Sequence, residues 1–149
     1  LSQIGKATAV ATDISGGALA TAAENATALG LADRFQTLRS DWFSAVRGRF
    51  HGIVSNPPYI SSTEFVGLPR EVRDFDPQRA LVGGTDGLDA YRAIAAGAGH
   101  HLEENGMVAV EIGFMQRDGV AAVFGSAGYR LLKVERDFGG NDRVLVFVR

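Results

Sequence analysis

The chain has 149 residues, and 46% of them are hydrophobic, which is enough to bury one core and predicts a single domain over residues 1–149. Its lack of cysteine excludes disulfides, thiolate nucleophiles and cysteine-based zinc sites, and its formal net charge of −2 lacks the basic excess typical of proteins that bind nucleic-acid phosphates. With no apolar run near the ~20 residues of a membrane helix and no signal-peptide pattern at its start, we expect a cytoplasmic protein without a membrane partner or a primary nucleic-acid partner.

The first third of the chain alternates strand and helix. The apolar run "ATAVATD" predicts a strand that ends in Asp13. The next segment begins at Ser15, a favoured N-cap residue, and stops at Gly30, which predicts a helix. "RFQTLRSD" predicts a second strand, which ends in Asp41, and "FHGIVSN" predicts a third, which ends in Asn56. The helix is expected to bury one face, formed by Leu19, Ala22, Ala23, Ala26 and Leu29.

The remaining chain predicts one long loop followed by further strands and helices. Residues 57–85 contain all four prolines and are expected to be irregular. Residues 86–102 predict a helix, 106–113 a buried strand, 115–126 a helix, and 129–137 with 143–149 a terminal hairpin. The buried face of the helix over 86–102 is expected to carry Leu88, Tyr91, Ile94, Ala95 and Ala98.

This order of elements predicts an α/β fold around a mostly parallel, Rossmann-like sheet with a C-terminal antiparallel hairpin. In such sheets ligands bind beyond the carboxyl ends of the strands. Asp13, Asp41, Asn56 and Glu111 all lie at or near predicted strand ends. We therefore expect these four polar side chains to converge on one edge of the sheet.

Two of these acids favour a ligand that contains a nucleoside. An acid at the position of Asp13 can accept hydrogen bonds from both ribose hydroxyls, although it can equally cap the local turn through Ser15. Asp41 could accept from an adenine amino group while Trp42 or Phe43 covers the ring, or it could be a turn residue beside a core tryptophan. Together, the two acids on neighbouring strands favour a ligand that contains a nucleoside.

The stretch "FHGIVSNPPYISS" carries the strongest chemical signal, in the tetrad Asn56-Pro57-Pro58-Tyr59. Because neither proline has an N–H, the nearby carbonyl groups lack their usual donors and can face a cleft. The Asn56 side-chain carbonyl, the Pro57 backbone carbonyl and the face of Tyr59 would suit a planar NH₂ group. Asn-Pro-Pro is also a common way to open a loop, which is the structural alternative.

The tetrad resembles the "NPPY" motif of S-adenosylmethionine-dependent methyltransferases that modify planar amino or amide nitrogens. The segments "DISGGALATAAENA", "DWF", "IVSNPPYI", "LPREVRDFDPQRALVGGTDGLDAYRAIA", "VAVEIG" and "GNDRVLV" resemble the catalytic domain of the release factor glutamine methyltransferase family. This resemblance extends over nearly the whole chain. Residues 68–95 distinguish it from the related DNA and RNA methyltransferases.

The resemblance implies an enzyme that N-methylates a glutamine side-chain amide in class-1 peptide-chain release factors, with S-adenosyl-L-methionine as donor and S-adenosyl-L-homocysteine as product. It implies that Asp13 and Ile14 hold the donor's ribose side and that Asp41 with Trp42 lies along its adenine. It also assigns the tetrad: Asn56 lies at both donor and substrate, Pro57 orients the amide nitrogen with it, and Pro58 and Tyr59 complete the substrate pocket, with the Tyr59 ring as a stacking wall.

The sequence departs from the family pattern at its start, where the glycine-rich loop after the first strand and the N-terminal recognition domain do not appear. We therefore expect the sheet to have a gap. Two alternatives stay open: an NPPY enzyme that acts on adenine in DNA or guanine in RNA, and a non-catalytic nucleotide-binding or scaffold fragment. The three histidines lack ligand spacing, so no metal site is predicted. The charges of "EVRDFDP" could contact a protein substrate or form a solvated loop packed by Val72 and Phe75.

Overall fold

The computed structural model of the chain describes residues 1–75 and 77–149, without the side chains of residues 72, 74 and 75. The expected packing of Val72 and Phe75 therefore lies outside the described side chains. The chain forms two compact units, Leu1–Gly48 and Arg49–Arg149. The single domain over 1–149 stays a prediction. None of the helices in the described residues has the length and apolarity of a membrane span.

The first unit contains one parallel strand pair and one long helix. Its elements are β1 (Ala9–Asp13), α1 (Gly16–Ala28), a 3-10 turn (Ala32–Arg34) and β2 (Phe35–Arg39). The N-cap prediction is confirmed, because the Ser15 hydroxyl accepts the Ala18 N–H at 3.3 Å. The prediction that Leu29 is buried is wrong: it is 69% exposed because the helix ends one residue before it.

The second unit contains a four-stranded sheet with the order β3-β4-β6-β5. β3 and β4 are parallel, and the predicted C-terminal hairpin is confirmed, with β6 antiparallel to both β4 and β5. The strands of this unit are β3 (Phe50–Ser55), β4 (Leu102–Glu111), β5 (Arg130–Arg136) and β6 (Asp142–Val148). Its helices are α2 (Ser62–Val66), α3 (Arg70–Phe75), α4 (Gln78–Leu81), α5 (Asp89–Ala98) and α6 (Arg117–Ser126). Each unit thus has its own sheet, and the gap expected within one sheet stays a prediction.

The segment expected to be irregular contains three short helices, so that prediction is wrong for α2, α3 and α4. Ser61 and Glu64 form a capping box at the start of α2, in which each side chain bonds the backbone N–H of the other residue. Pro69 and Pro77 stand immediately before α3 and α4. A proline at a helix start costs little, because the first N–H groups of a helix have no partner within it.

The core of the second unit lies between the sheet and helices α5 and α6. Most of the predicted face of α5 is confirmed, and the Leu88 side chain is only half-buried. The Phe124 ring stacks on Phe147 at 4.1 Å between centroids and meets Tyr129 edge-on at 5.4 Å. Such aromatic pairs contribute roughly 0.5–1.5 kcal/mol beyond their buried area. The buried residues of α5 are Ala90, Tyr91, Ile94, Ala95 and Ala98.

Candidate functional site

In the first unit, Asp13 lies at the carboxyl end of β1, opposite Arg39 of β2. One oxygen of its exposed carboxylate accepts the Ser15 N–H at 2.7 Å, so Asp13 does cap the local turn. Within the described residues, the other carboxylate oxygen has no hydrogen-bond partner. The turn and a ligand can therefore use different oxygens of the same side chain, and the ribose role stays a prediction.

Beside this strand end lies a hollow of about 270 Å³, lined by Ile14, Arg39, Ser40, Asp41 and Ser44. Two residues that the sequence assigned to the donor, Ile14 and Asp41, thus lie in one depression. The carboxyl ends of two neighbouring parallel strands form it, which is where α/β sheets bind ligands.

Ser40 organises the turn that carries Asp41 and Trp42. Its hydroxyl donates to the Trp42 carbonyl at 2.9 Å and accepts the Ala45 N–H at 3.0 Å, and its side chain is buried. Trp42 adopts φ +47°, a left-handed conformation that is rare for a bulky residue, and it keeps 38% of its surface exposed. Ser40 thus stabilises a strained turn that presents an aromatic ring to solvent. The sequence carried no signal for it beyond its neighbour Asp41.

In the second unit, the tetrad follows β3 directly, as the sequence predicts. Asn56 is exposed and Pro57 is buried. Among the described residues, neither the Asn56 side chain nor the Pro57 carbonyl oxygen has a hydrogen-bond partner. Further along the chain, the carbonyls of Tyr59 and Ile60 are occupied: that of Tyr59 accepts from the Gln116 amide at 2.9 Å and that of Ile60 accepts the Gly83 N–H at 2.9 Å. The Pro58 carbonyl has no hydrogen-bond partner among the described residues either, and it lies against Gly83. Both acceptors that the sequence assigned to the substrate amide are therefore free.

A glycine-lined loop supports the tetrad from behind. Ile60 forms a parallel bridge with Val82 and donates its N–H to the Leu81 carbonyl at 2.9 Å. A Cβ atom on Gly83 would lie 2.5 Å from the Pro58 carbonyl oxygen, and one on Gly87 would lie 2.4 Å from that of Tyr59. These approaches leave no room for a side chain, so both positions need glycine.

Charged and polar contacts fix this loop to α5, and α5 to β4. Hydrogen bonds from the Arg92 guanidinium lower the pKa of Asp86 to about 2, and the same carboxylate accepts the Leu88 N–H at 3.0 Å. Tyr91 is fully buried and donates its hydroxyl to the Glu111 carbonyl at 2.9 Å, and burial raises its pKa. Glu111 thus acts through its backbone in this network.

Each unit groups its own share of the predicted residues. Asp13 and Asp41 lie at the end of the β1–β2 pair, and Asn56 and Glu111 lie at the ends of β3 and β4. Convergence of all four on one edge stays a prediction. His51 is exposed on β3, an edge strand of its sheet. In the described residues, no cluster of three or more His, Cys, Asp or Glu has the arrangement of a metal site.

Comparison with solved structures shows the fold. A methyltransferase from Pyrococcus furiosus superposes with a TM-score of 0.67 at 18% sequence identity, over 94% of this chain and 61% of that chain. The fold is that of the Rossmann-like class I methyltransferases. No family model matches the chain.

Comparison with curated sequences is more specific. A release factor glutamine methyltransferase from Agrobacterium fabrum is 54% identical over 149 residues, which is 100% of this chain and 52% of that relative. One from Cereibacter sphaeroides is 50% identical over 136 residues, 91% of this chain and 49% of that relative. The chain spans about half the length of these relatives. Along its whole length, the chain is thus similar to about half of a release factor glutamine methyltransferase.

Proposed function

We propose that the chain is part of an S-adenosylmethionine-dependent methyltransferase that N-methylates the side-chain amide of a glutamine in class-1 peptide-chain release factors, in the cytoplasm. The observation that carries this proposal is the pair of free acceptors at the end of β3, the Asn56 side chain and the Pro57 carbonyl. Two carbonyl oxygens on a rigid corner match the two N–H groups of a primary amide. The names of the curated relatives support the choice of glutamine in a release factor.

The first unit has features that fit the donor. Asp13 would accept from the ribose hydroxyls through the oxygen that the Ser15 N–H leaves free. Ile14 and Asp41 line the neighbouring hollow, and Trp42 presents part of its ring to solvent. S-adenosylmethionine supplies, when bound, a methyl group activated by a sulfonium, and the product is S-adenosylhomocysteine.

The second unit would hold and activate the substrate amide. An amide nitrogen is a poor nucleophile because its lone pair is delocalised into the carbonyl group. The Asn56 and Pro57 oxygens would accept its two hydrogens, and these bonds strengthen as the nitrogen gains positive charge. They also fix the direction of attack. Tyr59 would stack on the amide plane, and Pro58 would hold Tyr59 at its distance from Pro57. The attack of the amide nitrogen needs no general base, because the nitrogen loses its proton to solvent after the methyl group has been transferred.

A methyl-transfer assay tests the proposal. We expect the intact protein to transfer labelled methyl from S-adenosylmethionine to a purified class-1 release factor. The label should be lost when the acceptor glutamine of the release factor is replaced by asparagine, which keeps the amide but shortens its reach. Label in DNA or RNA, with none in the release factor, would contradict the proposal and favour a nucleic-acid methyltransferase. Donor binding without transfer to any of these acceptors would contradict it as well.

A second prediction concerns the donor. We expect Asp13→Ala in the intact protein to raise the dissociation constant for S-adenosylmethionine by roughly ten-fold to a hundred-fold, because hydrogen bonds to a charged acceptor contribute about 1.5–3 kcal/mol. Isothermal calorimetry measures this constant. Asp33→Ala, a change of another exposed aspartate in the same unit, is the matched control.

The Asp13 substitution also removes the bond to the Ser15 N–H. Asp13→Asn separates the two effects, because an amide oxygen can still accept that N–H while the charge is lost. If Asp13→Ala left the affinity for S-adenosylmethionine unaltered, the ribose role of Asp13 would be wrong.

A further inference from the structure

Gln116 bonds the tetrad through its side-chain amide, although the sequence did not single it out. We infer that Gln116 is a positioning residue, which fixes Tyr59 so that its ring and the neighbouring Asn56 and Pro57 acceptors keep the geometry needed for the substrate amide. This inference rests on the proposed function and adds to it a residue outside the motif. All of the contacts that support it lie within the second unit.

The Gln116 amide closes a ring of contacts around Tyr59. Its Oε1 accepts the Gly113 N–H at 3.0 Å, and its Nε2 donates to the Tyr59 carbonyl at 2.9 Å. The Tyr59 ring lies against Gly113, where a Cβ atom would come within 2.9 Å of the ring carbon Cδ2. Both the backbone and the ring of Tyr59 are thus tied to the turn that follows β4.

Helix capping does not account for this side chain. Gln116 occupies the N-cap position of α6, where serine, threonine, asparagine and aspartate are preferred because their short side chains bond the first free N–H groups. The Gln116 side chain makes no such cap bond. It reaches to Tyr59 instead, so the helix start forgoes its usual stabilisation while the tetrad gains a contact.

The turn that delivers Gln116 is also strained. Met115, the preceding residue, has φ +65°, a left-handed conformation that favours glycine, and its side chain is 85% exposed. Because the methionine side chain is exposed, it contributes little hydrophobic stabilisation that would offset this strain. Strained backbone of this kind concentrates at functional sites, where the surrounding structure holds it. The turn thus combines an unfavourable backbone and a helix start without a side-chain cap with the Gln116 bonds to Gly113 and Tyr59.

Gln116→Ser separates positioning from stability. Serine is a favoured N-cap, so we expect the unfolding midpoint of the intact protein to be unchanged or raised. We expect kcat for methyl transfer to the release factor to fall by roughly ten-fold, as small misplacements at a reacting centre do, with the donor KM unchanged. Gln36→Ser, at an exposed position of β2, is the control and should leave all three quantities unchanged. Gln116→Met, which keeps the length of the side chain, repeats the test if the serine variant does not fold.

A second readout does not depend on the substrate. The chain has three tyrosines, so protein labelled with 3-fluorotyrosine should give one fluorine-19 resonance for each, with that of Tyr59 assigned through Tyr59→Phe. We expect Gln116→Ser to shift or broaden the Tyr59 resonance and to leave that of Tyr129 in place.

The two readouts distinguish the failure of this inference from the failure of the proposed function. An unaltered Tyr59 resonance together with an unaltered kcat overturns the positioning role, and so does a lowered unfolding midpoint with no change in either. If the wild-type protein transfers no methyl to a release factor, a displaced Tyr59 resonance still supports the role of Gln116 while the choice of substrate fails.

Discussion

Asn56→Ala in the intact protein should lower the rate of methyl transfer by roughly ten-fold to a thousand-fold, the range seen when a positioned hydrogen-bond partner of a transition state is removed. Asn56 is exposed, and its side chain has no hydrogen-bond partner among the described residues. The substitution therefore breaks no contact within the described fold. The loss should appear in kcat, while the dissociation constant for S-adenosylmethionine changes little. Single-turnover transfer to a release factor, with calorimetry of the donor, measures both.

Asn25→Ala is the matched control for this prediction. Asn25 is an exposed residue of α1, where alanine is a better helix former, so the same change of side chain should leave both stability and transfer close to wild type. Wild-type turnover in Asn56→Ala would remove the assigned role of the tetrad. If the affinity for S-adenosylmethionine fell as much as the rate, Asn56 would act on the donor and not on the substrate amide.

Gly87→Ala should be among the most destabilising single changes in the second unit, lowering the free energy of unfolding by roughly 2–4 kcal/mol. Gly87 has φ +75°, which is unfavourable for alanine, and the added Cβ would lie 2.4 Å from the Tyr59 carbonyl oxygen and 2.7 Å from the Gln116 Nε2. The backbone oxygen cannot move aside without moving the tetrad. Urea denaturation of the intact protein measures the change.

Two other glycines resolve this effect into its parts. Gly128 has φ +85° with nothing within 4 Å of an added Cβ, so Gly128→Ala measures the cost of the backbone conformation alone. A Cβ on Gly83 would lie 2.5 Å from the Pro58 carbonyl oxygen without a left-handed backbone, so Gly83→Ala measures the close approach alone. If Gly87→Ala lowers the free energy of unfolding no more than Gly128→Ala does, the close packing of this loop against the tetrad is wrong.

Much of the fold follows from local sequence patterns. Ser15 and Gly30 bound α1 because capping and left-handed termination depend on residues next to each other in the chain. The spacing of Tyr91, Ile94 and Ala98 predicts the buried face of α5 for the same reason. Local patterns do not predict the three short helices before Val82, because the prolines of this segment indicate irregular chain. The pair Ser61 and Glu64 is a capping box that could have indicated the first of these helices.

The sequence predicts the candidate site only where its residues form a motif. The tetrad is contiguous, so its chemistry can be read directly from the sequence. Gln116 lies 57 positions from Tyr59 along the chain, and its contact with that residue arises only once β3 and β4 pair. Gly87 is similar, because nothing in "GTDGLD" indicates a carbonyl oxygen at the place of a missing Cβ. Supports of this kind depend on distant chain segments, which local patterns do not describe.

The bridge between Ile60 and Val82 has an evolutionary consequence. The chain leaves the tetrad at Ile60 and returns to the same place at Val82, where the two residues pair in parallel. The bridge holds together the two ends of the loop that these residues bound. The entropic cost of closing a loop grows only slowly with its length. Insertions, deletions or exchange of the chain between these two residues can therefore remodel the surface beside the tetrad while its acceptor groups stay in place. The corner proposed to be catalytic could acquire new recognition surfaces in this way.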